Sequence, residues 1–339
     1  MDIIQEEIVI MKKQNTIRVF QMVCILVLLS LKAHAAWTGI GVSGGTGGSN
    51  ICNTANWVGN TIDGDFSTIN TAGTYMLTMS SDLNRAIGST GASTGERFNF
   101  GCPVDGVQLT IASDAPGTPR TLTSGGVYRM GSITATTTNS VTFSADIRFN
   151  VVSALIIAQS TAFGSGALLP ACTVNGSMTL GAPLKHTGCV LTLNGYVSGS
   201  GSLTIGGNIG AQAYTTLTCP SNTFSGGILA EAARQAQLTA TASTVLANTG
   251  QPSALGSGGP ICFPLNSIYP APYNLTLSGF SAPQTTDRIF VLASRDTYLF
   301  NNGTGPLRLT GAITNNASDV LLYMGIHLTA VTTRCSIVR

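Results

Sequence analysis

The stretch SNTFSGGILA, residues 221–230, places an aromatic residue between an Asn-Thr pair and a Ser-Gly-Gly turn, and an apolar run follows the turn. Glycine adopts positive φ without a steric penalty, so Gly226 and Gly227 allow the chain to change direction sharply. We interpret the stretch as a corner between two strands, with Phe224 packed inward. Short strands separated by such corners are typical of folds built by repetition.

Strand candidates of one form recur along the chain. In many of them a threonine stands between two apolar residues, and a small residue or Asn and then Gly follow. This alternation is the period of a half-buried strand, and the glycine predicts a turn. Such short strands are unstable alone, but stacked coils build a continuous core from them. The candidates are GTYMLTMS (73–80), GVQLTIAS (106–113), SVTFSADIRFNVV (140–152), SMTLGAP (177–183), CVLTLNGYV (189–197), GSLTIGGN (201–208), YNLTLSGF (273–280) and PLRLTGAI (306–313).

Composition indicates an all-β class. Of the 339 residues 40 are Gly, 43% are hydrophobic and only 9% are charged, whereas disordered chains combine high charge with low hydrophobicity. Abundant Ser, Thr, Asn and Gly beside Val, Ile and Leu indicate strands joined by many turns. The formal net charge of +2 indicates no basic surface for nucleic acid, so we expect no nucleic-acid partner.

Two other architectures remain open from this pattern. A β-sandwich also has short strands at intervals of about 8–12 residues, and a low-complexity linker shares the Gly and Ser content. One segment fits a series of strands poorly. Residues 227–243, GILAEAARQAQLTATAS, contain the helix-favouring residues Ala, Glu, Arg and Gln, so we allow for a short helix on the side of a solenoid.

Residues 1–35 predict a cleaved signal peptide. A positively charged stretch (12–18) precedes an apolar stretch (19–31) that is too short to span a bilayer comfortably. The small-x-small pattern that ends at Ala35 predicts cleavage before Ala36. Met11 is the expected true start, because the ten residues before it are acidic and fit no charged leader. A membrane anchor is the alternative, and we expect no membrane span in the mature chain.

Three segments occur in the order seen in a known repeat: LTLNGYVSGSGSLTIGGN (191–208), SNTFSGGI (221–228) and ALGSGG (254–259). They resemble the autotransporter-associated β-strand repeat, also called the passenger-associated transport repeat. AWTG (36–39) and CNTANWVGN (52–60) resemble the opening of many such secreted chains, and AFGSGALLP (162–170) is a weaker echo. The clearest repeat spans about 189–260 of a passenger-like region at 36–339. Its motif residues are Asn222, Phe224, Gly226, Gly227, Leu255 and Gly256.

The resemblance implies an all-β, right-handed parallel β-helix (solenoid) that is exported and displayed on, or released from, a bacterial surface. It implies a non-catalytic structural or adhesin-like role at the cell surface or outside the cell, or at the outer membrane as part of a longer autotransporter. Host or matrix glycans or surface proteins are the expected partners. No alternating lipid-facing strands precede Arg339, so we expect no C-terminal β-barrel within this chain.

Seven cysteines remain after the leader, which contains Cys24. Neighbouring coils of a β-helix lie about 4.8 Å apart, and a disulfide needs Cα atoms about 4.4–6.8 Å apart. Cysteines at equivalent positions of adjacent coils are therefore within bonding distance, and coils of this family type use about 20 residues or more. The spacing predicts the pairs Cys172–Cys189, Cys219–Cys262 and Cys52–Cys102, and it leaves Cys335 unpaired.

Parallel β-helices include polysaccharide lyases and hydrolases, so a carbohydrate-active enzyme is the alternative function. Glycoside hydrolysis needs two carboxylates about 5–10 Å apart, and the acidic residues after the leader are scattered. The close pair Asp63 and Asp65 fits a calcium or catalytic site, or simply an Asx turn.

The remaining motifs give no site either. We expect His186 at the surface, because no partner lies near it in the sequence, and no C-x-x-C pair indicates a metal site. GIGVSGGTGG (39–48) lacks the ending of a phosphate-binding loop and predicts a flexible turn. We therefore expect no catalytic, cofactor-binding or metal site and no cofactor.

Overall fold

The computed structural model describes residues 36–60, 62, 64–86, 96–130, 139–159, 169–206, 212–231, 235–263, 273–292, 296–315, 321–325, 327–328, 331–332 and 335–337. In these residues the fold is all-β, a parallel β-solenoid in which the chain runs through repeated coils. The expected signal peptide, residues 1–35 with cleavage after Ala35, lies outside the described residues, and so does Asp63.

The described residues contain two 3₁₀ helices, Thr54–Asn56 and Val58–Asn60, and a long series of strands. In chain order the strands are β1 (Gly73–Met79), β2 (Leu83–Arg85), β3 (Glu96–Phe100), β4 (Val107–Ser113), β5 (Arg120–Met130), β6 (Ser140–Phe143), β7 (Ile147–Gln159), β8 (Ala171–Val174), β9 (Met178–Leu180), β10 (Leu184–Thr187), β11 (Val190–Leu193), β12 (Val197–Gly199), β13 (Leu203–Ile205), β14 (Gln212–Leu217), β15 (Ile228–Ala230), β16 (Gln235–Thr241), β17 (Ile261–Phe263), β18 (Tyr273–Ser278), β19 (Gln284–Thr286), β20 (Phe290–Leu292), β21 (Asp296–Asn301), β22 (Leu307–Leu309), β23 (Ile313–Asn315), β24 (Leu321–Gly325), β25 (His327–Leu328), β26 (Val331–Thr332) and β27 (Cys335–Ile337).

Two long sheets contain most of these strands. The first sheet has the order β1-β4-β6-β8-β11-β14-β16-β18-β21-β24-β27. The second sheet follows the path β12-β9-β7-β10-β13-β15-β17-β20-β23, with β5 beside β7 and with β2 and β3 beside β5. Within the described strands only the pairs β24–β27 and β25–β26 are antiparallel. A β-sandwich consists of antiparallel sheets, so that alternative is wrong, and so is the low-complexity linker.

A typical coil contributes one strand to the first sheet and one or two to the second. In one coil β11 lies in the first sheet, and β12 and β13 lie in the second. The long strand β7 takes both positions of its coil. Its first half pairs with β9, where Phe149 is beside Met178, and its second half pairs with β10, where Leu155 is beside Leu184.

The core lies between the two sheets, where equivalent side chains of successive coils stack. Leu109, Val141, Cys172 and Leu191 share one register position in four neighbouring strands of the first sheet, and all four are buried. Stacking at the strand spacing of about 4.8 Å removes each apolar side chain from water along the ladder. The residues between these positions face outward, so the predicted two-residue period is confirmed.

The helix allowed for within residues 227–243 is wrong. Strands β15 and β16 occupy its described part. Ala236, Leu238 and Ala240 are buried, which is the two-residue period of a strand. Strand β16 pairs with β14 on one side and β18 on the other. Pairing with two neighbouring strands therefore overrides the helix propensity of alanine.

Residues 36–72 cover the edge of the first coil. Trp37 pairs with Trp57 through an antiparallel bridge, and their ring centroids lie 5.1 Å apart. Phe66 packs on both tryptophans and stacks on Phe100 of β3 at 5.2 Å. The segments AWTG and CNTANWVGN thus provide the aromatic layer that shields the start of the core. The turn predicted at residues 39–48 is confirmed.

Candidate binding face

The outward side of the first sheet carries a row of threonines, one per coil. Each is the register partner of the next, because the apolar-Thr-apolar pattern repeats in phase with the coils. Met76 precedes the row and Phe300 follows it. Strand spacing separates neighbouring members by about 4.8 Å. The threonine row consists of Thr110, Thr142, Thr173, Thr192, Thr216, Thr239 and Thr276.

A second polar row runs beside the threonine row, two residues further along the chain in each coil, at or just after the end of the strand, or about 6.6 Å away. Its members bond to one another across the coils, except Ser144, whose hydroxyl is buried without a hydrogen-bond partner. Asn194 Nδ2 donates to Asn175 Oδ1 at 2.9 Å, Thr218 Oγ1 donates to Asn194 Oδ1 at 2.9 Å, and the hydroxyls of Thr241 and Ser278 lie 2.8 Å apart. These bonds fix the side-chain orientations. The row consists of Ser144, Asn175, Asn194, Thr218, Thr241 and Ser278.

A third row lies two residues before the threonine row and completes what we call the threonine face, the three rows together. No residue of the three rows carries a charge at neutral pH. The aromatic side chains of the third row, Tyr214 and Tyr298, lie toward one end, and the side chains from Ser140 to Val190 are small. The third row consists of Thr74, Gln108, Ser140, Ala171, Val190, Tyr214, Gln237, Asn274 and Tyr298.

The hydroxyl groups of the threonine row are available to a ligand. All seven side chains are half-buried in the sheet surface. Among the described residues, none of these hydroxyls forms a hydrogen bond with another residue. Each threonine hydroxyl offers one donor and two acceptor positions, and a methyl group stands beside it. The row therefore presents alternating polar and apolar groups to solvent at a fixed repeat.

A second polar cluster lies inside the solenoid, around His186. The expectation of a surface histidine is wrong, because His186 has no exposed surface. Its Nε2 hydrogen-bonds with Thr215 Oγ1, and its Nδ1 lies 3.6 Å from Cys189 Sγ. Its register partners in the second sheet are Ile157 and Ile205. A polar residue at one apolar position of a strand gives no local signal of its burial.

Burial keeps this inner cluster uncharged. Desolvation lowers the pKa of His186 to about 3. Desolvation also raises the pKa of the Cys172 thiol to about 12. It raises the pKa of the Cys189 thiol well above its usual value, and the nearby Cys172 thiol adds to that rise. A neutral imidazole and a protonated thiol form no activated nucleophile. The cluster is part of the packed core.

The predicted disulfide Cys172–Cys189 is not formed, because each cysteine with a described side chain is a free thiol. The physical reason is the register of the first sheet. The partner of Cys172 in the next coil is Leu191, 19 residues later, and Cys189 lies two positions before it. A spacing of 17 residues is therefore shorter than this coil.

The other two predicted disulfides are also wrong. Cys219 follows a strand of the first sheet, whereas Cys262 pairs with Leu229 in the second. The Cys52 thiol donates to the carbonyl of Ser81, and the Cys102 thiol donates to that of Phe66. The side chain of Cys335 lies outside the described part of the chain. The described thiols are Cys52, Cys102, Cys172, Cys189, Cys219 and Cys262.

The repeat motif provides corners and bonds between coils. Asn222 is fully buried, accepts from the Val197 backbone N–H at 2.8 Å and donates to the Ala254 carbonyl at 2.9 Å. It therefore ties three successive coils together. Phe224 is buried, which confirms its predicted inward packing. Gly227 has a φ of +83°, whereas Gly226 serves close packing, since an added Cβ there would lie 2.5 Å from the Gly201 backbone.

A buried arginine, which sequence reasoning missed, completes the ALGSGG element. Arg288 is 2% exposed and donates to the carbonyls of Leu255, Gly258 and Gly259 at 2.6, 2.7 and 3.0 Å. Burial lowers the pKa of Arg288 to about 10, so it stays charged at neutral pH. Gly256 has a φ of +79° and turns the backbone between these carbonyls. A lone arginine one coil after a Gly-rich corner is the signal that could have indicated this contact.

The described acidic side chains have structural partners of their own. Asp65 accepts from the Ser67 N–H at 3.0 Å, which is the predicted Asx turn. Five others bond across or within coils: Asp82 with Thr121 N, Asp114 with Arg120, Asp146 with Gly117 N, Glu231 with Lys185, and Asp287 with Thr249. Among the described residues no group of three His, Cys, Asp or Glu side chains is arranged to hold a metal ion.

Comparison with known proteins gives no match: no family model, no curated protein and no solved structure corresponds to this chain. The likeness to the autotransporter-associated repeat therefore rests on the sequence motifs quoted above. Within the described residues, no helix has the length and hydropathy that a membrane crossing requires.

Proposed function

We propose that the chain is a non-catalytic, exported β-solenoid of the autotransporter-passenger type, with a structural and adhesive role at a cell surface or in the extracellular space. The observation that carries this proposal is the threonine face, which is regular, uncharged and repeated over successive coils. Repetition suits adhesion, because many weak contacts at fixed spacing add to a strong attachment when all can engage together.

Acidic residues of this chain are bonded to neighbouring groups of the same chain, and this supports a non-catalytic role. A polysaccharide hydrolase needs two carboxylates that face one substrate bond, and a lyase needs a base poised to remove a proton. In this chain Asp114 and Glu231 form ion pairs with Arg120 and Lys185, and Asp65 bonds to its own turn. These three carboxylates are thus held by neighbouring groups of the chain. The carbohydrate-active enzyme, our alternative, remains an outcome of the test.

The test uses protein recovered from the medium of a secreting culture, where the mature chain is expected to begin at Ala36. Its retention is measured on insoluble neutral glycans, extracellular-matrix proteins and ice. Thr192→Lys/Thr216→Lys places two charges on the threonine face, and Thr179→Lys/Ser198→Lys places them on adjacent rungs of the second sheet. Only the first pair is expected to weaken retention, by about tenfold or more, because buried charges need partners.

Two results contradict the proposal. One is equal retention of the two variants on every surface. The other is turnover of a polysaccharide that disappears in Asp65→Ala, since this would show that the Asx turn hides a catalytic carboxylate.

A further inference from the structure

The threonine face repeats in two directions. Along the solenoid the hydroxyls of the threonine row recur at about 4.8 Å, and across the strand the second row lies about 6.6 Å away. The first sheet keeps this array in register, because its described strands pair without a register shift from β1 to β21. The second sheet, by contrast, has shifts between β3 and β5 and between β5 and β7.

The chemistry of the array favours a partner that is itself a neutral lattice of donors and acceptors. The hydroxyls of the threonine row have no partner among the described residues, and each can both donate and accept. The methyl groups beside the hydroxyls can lie against ordered water, but they form no hydrogen bonds with it. The face carries no charged group, so no disordered hydration shell held by a charge has to be displaced before a lattice can contact the face.

Other partners fit this face less well. Protein interfaces centre on Trp, Tyr and Arg anchors, whereas the third row has only small side chains, Ser140, Ala171 and Val190, beside the stretch from Thr142 to Thr192. An anionic glycan requires basic groups, which the face lacks. A single sugar chain binds best in a concave site, whereas the rows lie on the outer surface of a sheet.

We propose that the threonine face binds ice, with the hydroxyls of the threonine row and the exposed polar groups of the second row taking positions of lattice oxygen atoms. Hexagonal ice presents rows of oxygen atoms whose repeat is close to the strand spacing. Seven threonines in register span about 29 Å, so many individually weak contacts act together. The inference rests on the proposed adhesive role and names the partner of the threonine face.

The test measures thermal hysteresis and ice-crystal shape with purified full-length mature chain. For the wild type we expect thermal hysteresis, that is, a gap between the melting and freezing temperatures, and faceted ice crystals. Thr192→Lys/Thr216→Lys should reduce the gap to the level of buffer, and Thr179→Lys/Ser198→Lys should leave it unchanged. Circular dichroism checks that both variants fold. If the lysine pair on the face unfolds the chain, Thr192→Val/Thr216→Val removes the hydroxyls alone and is expected to narrow the gap.

A wild type without hysteresis or crystal shaping overturns the inference, and so does hysteresis that the variants on the threonine face leave unchanged. The proposed function is judged on the whole panel of glycan, protein and ice surfaces. Retention on a glycan or a protein with no activity toward ice contradicts the ice inference and leaves the adhesive role intact. Loss of every interaction contradicts both.

Discussion

His186 shows how one buried polar side chain links the fold to pH. Its imidazole bonds with Thr215 Oγ1 inside the core, and burial lowers its pKa to about 3. Sequence reasoning placed this residue at the surface, because LKHTGC offers no partner nearby. The partner lies 29 residues away, on a strand of the opposite sheet, and only the coil geometry brings the two together.

Acid should therefore destabilise the chain through His186. The unfolded chain binds a proton below pH about 6.5 and the folded chain only below about 3, so stability falls as pH drops through that window. At pH 4.5 the loss is about 3 kcal/mol, from two pKa units at about 1.4 kcal/mol each. Urea unfolding at pH 7 and pH 4.5 measures it.

The matched control is His186→Leu/Thr215→Val, which replaces both partners with apolar groups and leaves no orphaned hydroxyl. This variant should lose less stability than the wild type between the two pH values. An equal loss in both proteins would show that His186 is not held neutral by the fold.

The strands and corners are the part of the structure that the sequence predicts best. The apolar-Thr-apolar pattern predicted strands such as β11 and β18, and SNTFSGG predicted a corner with Phe224 inside. The helix allowed for at 227–243 and the three disulfides were wrong for one common reason. A strand's neighbours and its register with them depend on the length of each coil, and local residue types do not give that length.

The corner at Gly227 should be intolerant of a side chain. Gly227 and Gly250 have φ values of +83° and +87°, so an alanine carries a similar backbone penalty, about 1 kcal/mol, at either site. At Gly227 an added Cβ would also lie 2.6 Å from the Pro260 carbonyl oxygen, whereas at Gly250 it meets open space. Gly227→Ala should therefore lower the free energy of unfolding by about 3 kcal/mol.

Chemical denaturation of Gly227→Ala and Gly250→Ala, side by side with the wild type, measures the difference. Equal destabilisation would mean that the corner does not pack against the next coil as the structure has it.

The molecule as a whole is a stack in which one coil's outward threonine lies over the next. Composition and pattern indicated an all-β fold of short strands, and the resemblance to the repeat family implied that the strands form a parallel solenoid. They did not reveal the threonine face as a surface, because threonine in a strand candidate is explained by strand propensity alone. The face emerges only when the register aligns Thr110, Thr142 and Thr173 on neighbouring strands. Composition and pattern also did not reveal that the row ends at Met76 and Phe300.

The measurement that tests this account is the distance between spin labels in the threonine row, by pulsed electron paramagnetic resonance. Labels at Thr110 and Thr276 are six strands apart, and labels at Thr142 and Thr276 are five. With Cys52, Cys219, Cys262 and Cys335 replaced by Ser, we expect mean distances near 29 and 24 Å, one strand spacing apart. Distances that do not grow with the number of intervening strands would contradict the solenoid and its threonine face together.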